Sequence, residues 1–346
     1  MTTRLSQISF SRRSSLRAAL AGAAISLSLS VSAGMAQAQQ ALRIVGNFAK
    51  EHPSSLAMQL FQSEVTRLSK GELKVEIYDN MQLGGAKENV DGTRAGTVFA
   101  TWVGMAFLSR TVPELEAVSL PFLFPSREAA FKVIDGPVGA ILDKKLADKG
   151  FAPLGFMELG SRQVTNSKRP IATLEDFKGL KIRLQPNETH LATFRALGAN
   201  AVAMDVKEIY SAMQQGVIDG QENPFINIQT SRYYEVQKFM TKTDHFFDFI
   251  AVVANKRQMD ALKPEHKDAV ATAMKAAIAQ QRSVAAKADA EALEDLKKRG
   301  MTYNELTPAV TEQLRKATAG IVDDLRKRLG NDVIDTVIAE VAKAGA

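Results

Sequence analysis

The feature that most constrains the fold is a long helical pattern near the C-terminus. An alanine-rich stretch runs from Pro264 to about Arg299 in a chain of 346 residues. A helix of roughly 35 residues would be about 50 Å long, which exceeds the width of one compact domain of this size. We therefore expect this helix either to run across two lobes or to be broken by a kink.

Strand and helix patterns alternate along the rest of the chain. Helical patterns separate the predicted strands, and the first of these helices starts at Pro53. The alternation predicts an α/β fold. Apolar or alternating runs typical of strands lie at 42–48, 73–77, 96–103, 151–157 and 249–254.

Residues 1–38 have the pattern of a signal peptide. An arginine-bearing start precedes an apolar stretch at 18–34, and Ala36-Gln37-Ala38 is a small-x-small cleavage site. The apolar stretch is short and interrupted by serines, which argues against a transmembrane anchor. We expect export to the periplasm with cleavage after about Ala38. The route is the general secretory one or, because Arg12-Arg13 resembles a twin-arginine signal, the twin-arginine one.

Composition excludes several classes of function. The chain has no cysteine, which excludes disulfides, thiolate metal sites and a cysteine nucleophile. Its four histidines are far apart, so no metal site and no cofactor is predicted. The net charge of +6 falls to +2 without the four arginines of the leader, and nucleic-acid binding is not expected. No nucleophile elbow, P-loop or dinucleotide-binding glycine motif indicates an enzyme.

Arg183 lies on a predicted strand. Leu180, Ile182 and Leu184 alternate along it. Lys181 and Arg183 therefore share the opposite face. If the strand belongs to a parallel sheet, both faces are covered, and a desolvated guanidinium needs an anionic partner. Two interpretations remain open: Arg183 pairs with an internal carboxylate or reaches solvent at the strand end, or it clamps an anionic ligand with its guanidinium fork.

Three further positions are candidates. Arg162 follows a predicted strand, where ligands bind in α/β sheets, although taken alone it is interpreted as a solvated arginine. The polar segment 220–224 is predicted to be a shaped loop, in which Asn223 could offer an acceptor and donors. The same segment could instead be a turn that caps a helix beginning at Pro224. Trp102 either packs in the core or forms the apolar wall of a pocket.

Several short motifs follow one another in a distinctive order. They are Gln82–Gly84, Leu120–Phe122, Gly160–Gln163, Gly179–Arg183, Ala196–Asn200, Glu208–Tyr210 and Gln214–Pro224. In this order they resemble the solute receptors of tripartite ATP-independent periplasmic (TRAP) transporters, DctP type. The resemblance extends over essentially the whole chain after the leader.

The resemblance implies a bilobal, periplasmic-binding-protein-like fold. Two α/β lobes would be joined by crossing strands and a long spanning helix, with a small organic acid trapped between them. Lobe I is expected to comprise 39–161 and 250–290, and lobe II 162–249 and 291–346. The implied partner is a TRAP permease in the membrane, which receives the ligand.

The resemblance also implies which residues contact the ligand. Arg183 would form a bidentate salt bridge with a ligand carboxylate, and Arg162 would support that carboxylate. Asn223 would contact the ligand, and Asn47 lies where the first strand often contributes a polar side chain. The predicted set of ligand-binding residues also includes Trp102, Gln185 and Phe225.

One departure from the family bears on the ligand. Residues 101–105 carry no charge, whereas some acid-sugar receptors have a carboxylate here that binds ligand hydroxyls. This argues against a heavily hydroxylated sugar acid and favours a C4-dicarboxylate or an aryl or branched 2-oxo acid. An exported enzyme or a sensory module acting on an organic acid remains the alternative function.

Overall fold

The structure, a computed structural model, describes residues 40–345. The predicted signal peptide, 1–38, lies outside the described residues. The strands are β1 (Gln40–Gly46), β2 (Leu73–Tyr78), β3 (Ala100–Gly104), β4 (Phe151–Ser161), β5 (Gln163–Asn166), β6 (Lys181–Leu184), β7 (Asn200–Ala203), β8 (Gly220–Asn223), β9 (Phe239–Lys242), β10 (Phe247–Asn255) and β11 (Thr302–Glu305). The α-helices are α1 (Pro53–Leu68), α2 (Ala86–Ala95), α3 (Arg127–Ile134), α4 (Pro137–Asp148), α5 (Glu188–Ala196), α6 (Ile209–Gln214), α7 (Phe225–Thr230), α8 (Lys256–Asp260), α9 (Pro264–Lys298), α10 (Pro308–Thr318), α11 (Ile321–Leu329) and α12 (Asp332–Gly345).

Helix starts follow local capping chemistry. His52 accepts the backbone N–H of Ser54, and Pro53 occupies the first position of α1, where its missing N–H is not needed. Thr173 and Asp176 form the reciprocal capping box of a short 3-10 helix at Leu174–Phe177.

The first sheet has the strand order β2-β1-β3-β10-β4. Strands β1 and β3 are parallel, and β10 runs antiparallel to both β3 and β4. Trp102 and Ile250 pack into one hydrophobic cluster, whereas their chain neighbours Val103 and Ala251 pack into another. Side chains that alternate between two clusters show that both faces of this sheet are covered.

The second sheet has the order β11-β9-β5-β8-β6-β7. Strand β6 runs parallel to both of its neighbours, β7 and β8. Ile182 and Leu184 pack on one face against Phe177 and Phe194. Arg183, which lies between them on β6, is directed to the other face.

Near Arg162, two short segments of the described chain cross between the sheets. Arg162 is the single residue between β4 of the first sheet and β5 of the second, and residues 243–246 lead from β9 back to β10. The backbone N–H of Arg162 donates to the carbonyl of Phe246 at 2.9 Å, so the two crossing segments are bonded to each other.

Helix α9 is continuous over 35 residues. Val270 and Met274 in its first half pack into a cluster of the first sheet, and Ala292 and Leu296 near its end pack with Met240 of the second. The predicted long helix is therefore confirmed, and it runs across both sheets. Among residues 40–345, no helix is long and apolar enough to cross a membrane.

The predicted loop at 220–224 is wrong, because this segment is the buried strand β8. A Cβ atom on Gly220 would lie 2.0 Å from the carbonyl oxygen of Thr165, so only glycine allows this close approach. Gln221 is buried because its side-chain amide donates to the hydroxyl of Thr165 at 2.9 Å. The alternative prediction, a turn that caps a helix beginning at Pro224, is correct in part, since α7 begins directly after Pro224.

Candidate functional site

Arg183 is a buried cation without an acidic partner among the described residues. Its side chain is 1% exposed, and its Nε donates to the carbonyl of Met204 at 2.8 Å. Its Nη2 is buried and has no hydrogen-bond partner among the described residues. The Cζ atom lies 5.9 Å from the ring centre of Phe107. Burial lowers the pKa of Arg183 to about 10. The group retains its charge at neutral pH, although it has lost its hydration.

Arg162, by contrast, is neutralised within the protein. Its Nη2 donates to Oε1 of Glu222 at 2.8 Å and to the Glu222 carbonyl at 2.7 Å, and its Nε also contacts this carboxylate. Its Nη1 lies 3.5 Å from Oδ2 of Asp248. The side chain is fully buried, so the interpretation of Arg162 as a solvated arginine is wrong. The segment that crosses between the sheets places it in the interior.

The acids around Arg162 respond differently to burial. Burial raises the pKa of Glu222, but Arg162 and His245 outweigh this effect and hold it well below its usual range. His245 Nε2 lies 3.2 Å from Oε2 of Glu222. Burial raises the pKa of Asp248 to about 6, because Arg162 compensates this carboxylate only partly. Glu222 is therefore the principal counter-ion of Arg162.

Asn223 lies beside Arg162 on the second sheet. Its Oδ1 accepts from Nη2 of Arg162 at 3.2 Å, and its Nδ2 donates to Oε1 of Gln221 at 2.5 Å. Strand register pairs Arg183 with Gln221 and Gln163 with Asn223. Paired residues and residues two apart share a face of a sheet. The structure thus brings Arg183 and Asn223 to one face of the second sheet.

Gln185 reaches from the second sheet to the first. It follows β6, and its side-chain amide lies close enough to Asp248 to lower the pKa of that carboxyl, while its Oε1 is buried without a partner among residues 40–345. A Cβ atom on Gly104, the last residue of β3, would lie 2.9 Å from Nε2 of Gln185. Glycine at this position therefore allows the two sheets to approach each other beside Arg183.

The remaining predicted residues lie in or near the cores. Asn47 follows β1, is 6% exposed and has a buried Oδ1 without a partner in the described part of the chain. The indole of Trp102 packs against Phe61 with ring centres 6.1 Å apart, and its Nε1 likewise lacks a partner there. Phe225 is buried in the cluster beneath the second sheet. The structure places Trp102 and Phe225 mainly as packing residues.

Comparison with known proteins agrees with this architecture. The family described as bacterial extracellular solute-binding protein, family 7 (DctP), matches residues 44–328. The chain belongs to this family.

Relatives and solved structures of family 7 receptors are similar over most of their length. The chain is 32% identical over 304 residues to the 2,3-diketo-L-gulonate-binding periplasmic protein YiaO of Escherichia coli, covering 88% of this chain and 89% of that protein. The sugar acid binding protein of Advenella mimigardefordensis in complex with galactonate superposes with a TM-score of 0.86, at 33% identity, covering 88% of this chain and 98% of that one. A TRAP periplasmic solute-binding protein of Sulfurospirillum deleyianum with bound succinate gives 0.84 at 30% identity, covering 87% and 99%. The chain therefore has the bilobal fold of family 7 receptors.

Sequence reasoning missed several polar residues in this receptor. Glu222 lies in a motif that was recognised, and a requirement for a counter-ion of Arg162 could have singled it out. His190 is fully buried, and both ring nitrogens lack a partner in the described part of the chain. Its ring stacks on Phe246 with ring centres 4.1 Å apart. Burial lowers the pKa of His190 to about 3, so the ring is neutral. No sequence pattern around His190 indicated this position.

Two cavities lie near the junction of the sheets. We call the larger one, of about 770 Å³, the mouth cavity, because it lies between α2 and the segment that follows β7. It is lined by Lys87, Glu88, Phe107, Arg110, Pro186, Ala203, Met204, Asp205, Lys207, Glu208 and Ser211. Phe107 and Met204 both contact Arg183, so the mouth cavity lies directly outside the buried guanidinium. The other cavity, of about 370 Å³, lies beside α9, and Arg183, Arg162 and Asn223 do not line it. No cluster of three or more histidine, aspartate or glutamate residues that could hold a metal occurs in 40–345.

Proposed function

We propose that this chain is an extracytoplasmic receptor that captures a small organic acid between two lobes and delivers it to a TRAP-type permease. The observation that carries the proposal is the buried guanidinium of Arg183, whose Nη2 lacks a partner in the described residues. A desolvated cation is costly unless an anion neutralises it. A ligand carboxylate, which can accept two parallel N–H bonds, fits this requirement.

The bound acids of the solved relatives support this assignment. Galactonate and succinate, which occupy two of the related receptors, both carry carboxylates. The lobes would comprise 39–161 with 250–290 and 162–249 with 291–346. Helix α12 packs against α3 and α4, so this part of the second range contacts elements of the first. Closure around the ligand would follow from its contacts with both lobes, because a ligand shifts an equilibrium by its differential affinity for the two states.

The location and the permease partner also belong to the proposal. The family description as extracellular and the periplasmic relative support export, with 1–38 as the cleaved leader. Mass spectrometry of the protein from a periplasmic extract should give an N-terminus close to residue 39. A periplasmic species that retains residues 1–38 would contradict this cleavage.

A thermal-shift screen of carboxylic acids tests the receptor function. A ligand that binds only the folded state raises the melting temperature by mass action. We expect at least one acid to stabilise the wild type and to have no effect on Arg183→Ala at the same concentration. Arg195→Ala is the matched control, because Arg195 is exposed and pairs with Glu188 on α5. An equal shift in Arg183→Ala and the wild type would contradict the proposal.

A further inference from the structure

The charges around Arg183 constrain the charge of the ligand. Arg162 and Arg183 are the buried arginines of this region, and Glu222 and Asp248 are the acids that contact Arg162. Arg183 makes no ion pair within 4.0 Å in the described part of the chain. With a pKa raised to about 6, Asp248 is mostly ionised at pH 7.5, so the two arginines and the two acids balance in formal charge. Both acids contact Arg162, and Arg183 is the arginine of this pair that has no acid in contact.

An open hydrogen-bonding group close to Arg183 in the chain, the side chain of Gln185, is uncharged. Its amide lies close to Asp248, and its Oε1 remains as an acceptor without a partner among the described residues. A carboxylate only accepts hydrogen bonds, whereas a hydroxyl group both donates and accepts. The Oε1 of Gln185 therefore matches a ligand hydroxyl group better than it matches a second carboxylate.

The mouth cavity supplies no surplus of positive charge either. Its lining contains three basic residues, Lys87, Arg110 and Lys207. It also contains three acidic residues, Glu88, Asp205 and Glu208. Lys87 is already paired with Asp91 at 2.7 Å. A second carboxylate that extended outward from Arg183 would enter a region where the formal charges balance.

We propose that the ligand is a monocarboxylate whose remaining polar groups are hydroxyls or similar donor–acceptor groups, and that the site discriminates against dicarboxylates. The proposal rests on the receptor function and narrows it. The sequence-based expectation favoured a C4-dicarboxylate or an aryl or branched 2-oxo acid over a heavily hydroxylated sugar acid. The proposal departs from it, because that expectation considered only the uncharged run 101–105. The buried pairing of Arg162 with Glu222, which leaves Arg183 without an acid in contact among residues 40–345, could not be read from that run.

Isothermal titration calorimetry with matched ligand pairs tests this proposal on the wild-type receptor. Succinamate is succinate with one carboxylate replaced by an amide, and D-gluconate differs from D-glucarate by one carboxylate. The titrations are made at pH 7.5 and constant ionic strength. In each pair with a detectable binder, we expect the monoanion to bind at least tenfold more tightly than the dianion. A tighter diacid in either pair would overturn the proposal.

A wider panel of mono- and dicarboxylates covers the case in which none of these four acids binds. The tightest binder in the panel is then expected to be a monocarboxylate. If the tightest binder were a dicarboxylate, the proposal that the ligand is a monocarboxylate would be overturned, but the receptor function would not. Loss of its binding in Arg183→Ala would leave the receptor function standing. Failure of every acid to bind the wild type would overturn both proposals.

Discussion

The guanidinium of Arg162 and the carboxylate of Glu222 form a fully buried ion pair, with Nη2 2.8 Å from Oε1. The two residues are 60 positions apart in sequence and meet where β4 passes into β5 beside β8. Arg162 and Arg183 are both arginines associated with predicted strands, and this pairing gives them different roles. Arg162 stabilises the sheet junction, whereas Arg183 has no acid in contact within the part of the chain that the structure describes.

Glu222→Gln should strongly destabilise the fold. The substitution leaves the buried Arg162 without its principal counter-ion, and breaking a buried pair typically costs about 3–5 kcal/mol. Urea unfolding at pH 7 measures the loss. Glu188→Gln, which breaks the exposed pair with Arg195, should cost less than about 1 kcal/mol. An unfolding free energy of Glu222→Gln close to that of the wild type would show that the pair does not stabilise the protein.

Asp289 should make stability fall as the pH rises toward neutrality. Burial raises the pKa of Asp289 from its ordinary value of 3.8 to about 7. The folded state therefore binds more protons than the unfolded state between about pH 4 and 7, and the free energy of unfolding decreases across this range. Asp289→Asn removes the titrating group while an amide oxygen can still accept the N–H of Ile226. Urea unfolding at pH 5 and pH 8 should show a larger decline for the wild type than for the variant, and equal declines would contradict the assignment.

Asp205→Asn should speed ligand release. The carboxylate of Asp205 accepts the backbone N–H groups of Ala86 and Lys87 at the start of α2, at 3.2 and 2.9 Å. A Cβ atom on Gly85 would lie 2.5 Å from its Oδ1, so glycine permits this contact. The contact joins a segment next to Met204, whose carbonyl holds Arg183, to a helix beside the first sheet. Weakening it should destabilise the closed form by about 1 kcal/mol, and stopped-flow dissociation should become several-fold faster.

Asp176→Asn is the control for this experiment. Asp176 also accepts backbone N–H groups at a helix start, from Ala172 and Thr173, but within the second-sheet region alone. Its substitution should lower stability and leave the dissociation rate unchanged. Equal effects of the two variants on dissociation would show that Asp205 acts only through general stability.

Arg183→Ala should weaken ligand binding by about 3–5 kcal/mol, because the ligand carboxylate would be buried without its partner. This corresponds to roughly two to four decades in the dissociation constant. Arg183→Lys should also weaken binding, since an ammonium group lacks the planar fork. Calorimetric titration of the tightest acid measures both effects. A loss of less than about tenfold in the alanine variant would exclude Arg183 as the principal ligand anchor.

Local patterns predicted many of the elements but few of the contacts between them. The helix expected from Pro264 to about Arg299 is α9, which ends at Lys298, because an uninterrupted helical pattern is a local property. Alternation around Arg183 correctly indicated a covered strand. The buried state of Arg162 could not be foreseen in the same way, since it depends on Glu222 and Asp248, which are 60 and 86 residues away.

Polarity misled the interpretation of β8. Gln221, Glu222 and Asn223 look like a loop because such residues are usually exposed. They are buried here because Thr165, Arg162 and one another satisfy their side chains, and neither single-residue preference nor spacing contains that information. The sequence did not indicate His190 for the same reason. Its ring is buried against Phe246 only because the tertiary fold brings the two residues together.

The most direct test of the central claim is a crystal structure of the receptor with the acid that gives the largest thermal shift. We predict that the two terminal nitrogens of Arg183, Nη1 and Nη2, lie about 2.7–2.9 Å from the two oxygens of one ligand carboxylate, while Nε keeps its bond to the Met204 carbonyl. A ligand carboxylate bound elsewhere, with the Arg183 guanidinium paired to an acid of the protein or turned out to solvent, would contradict the account.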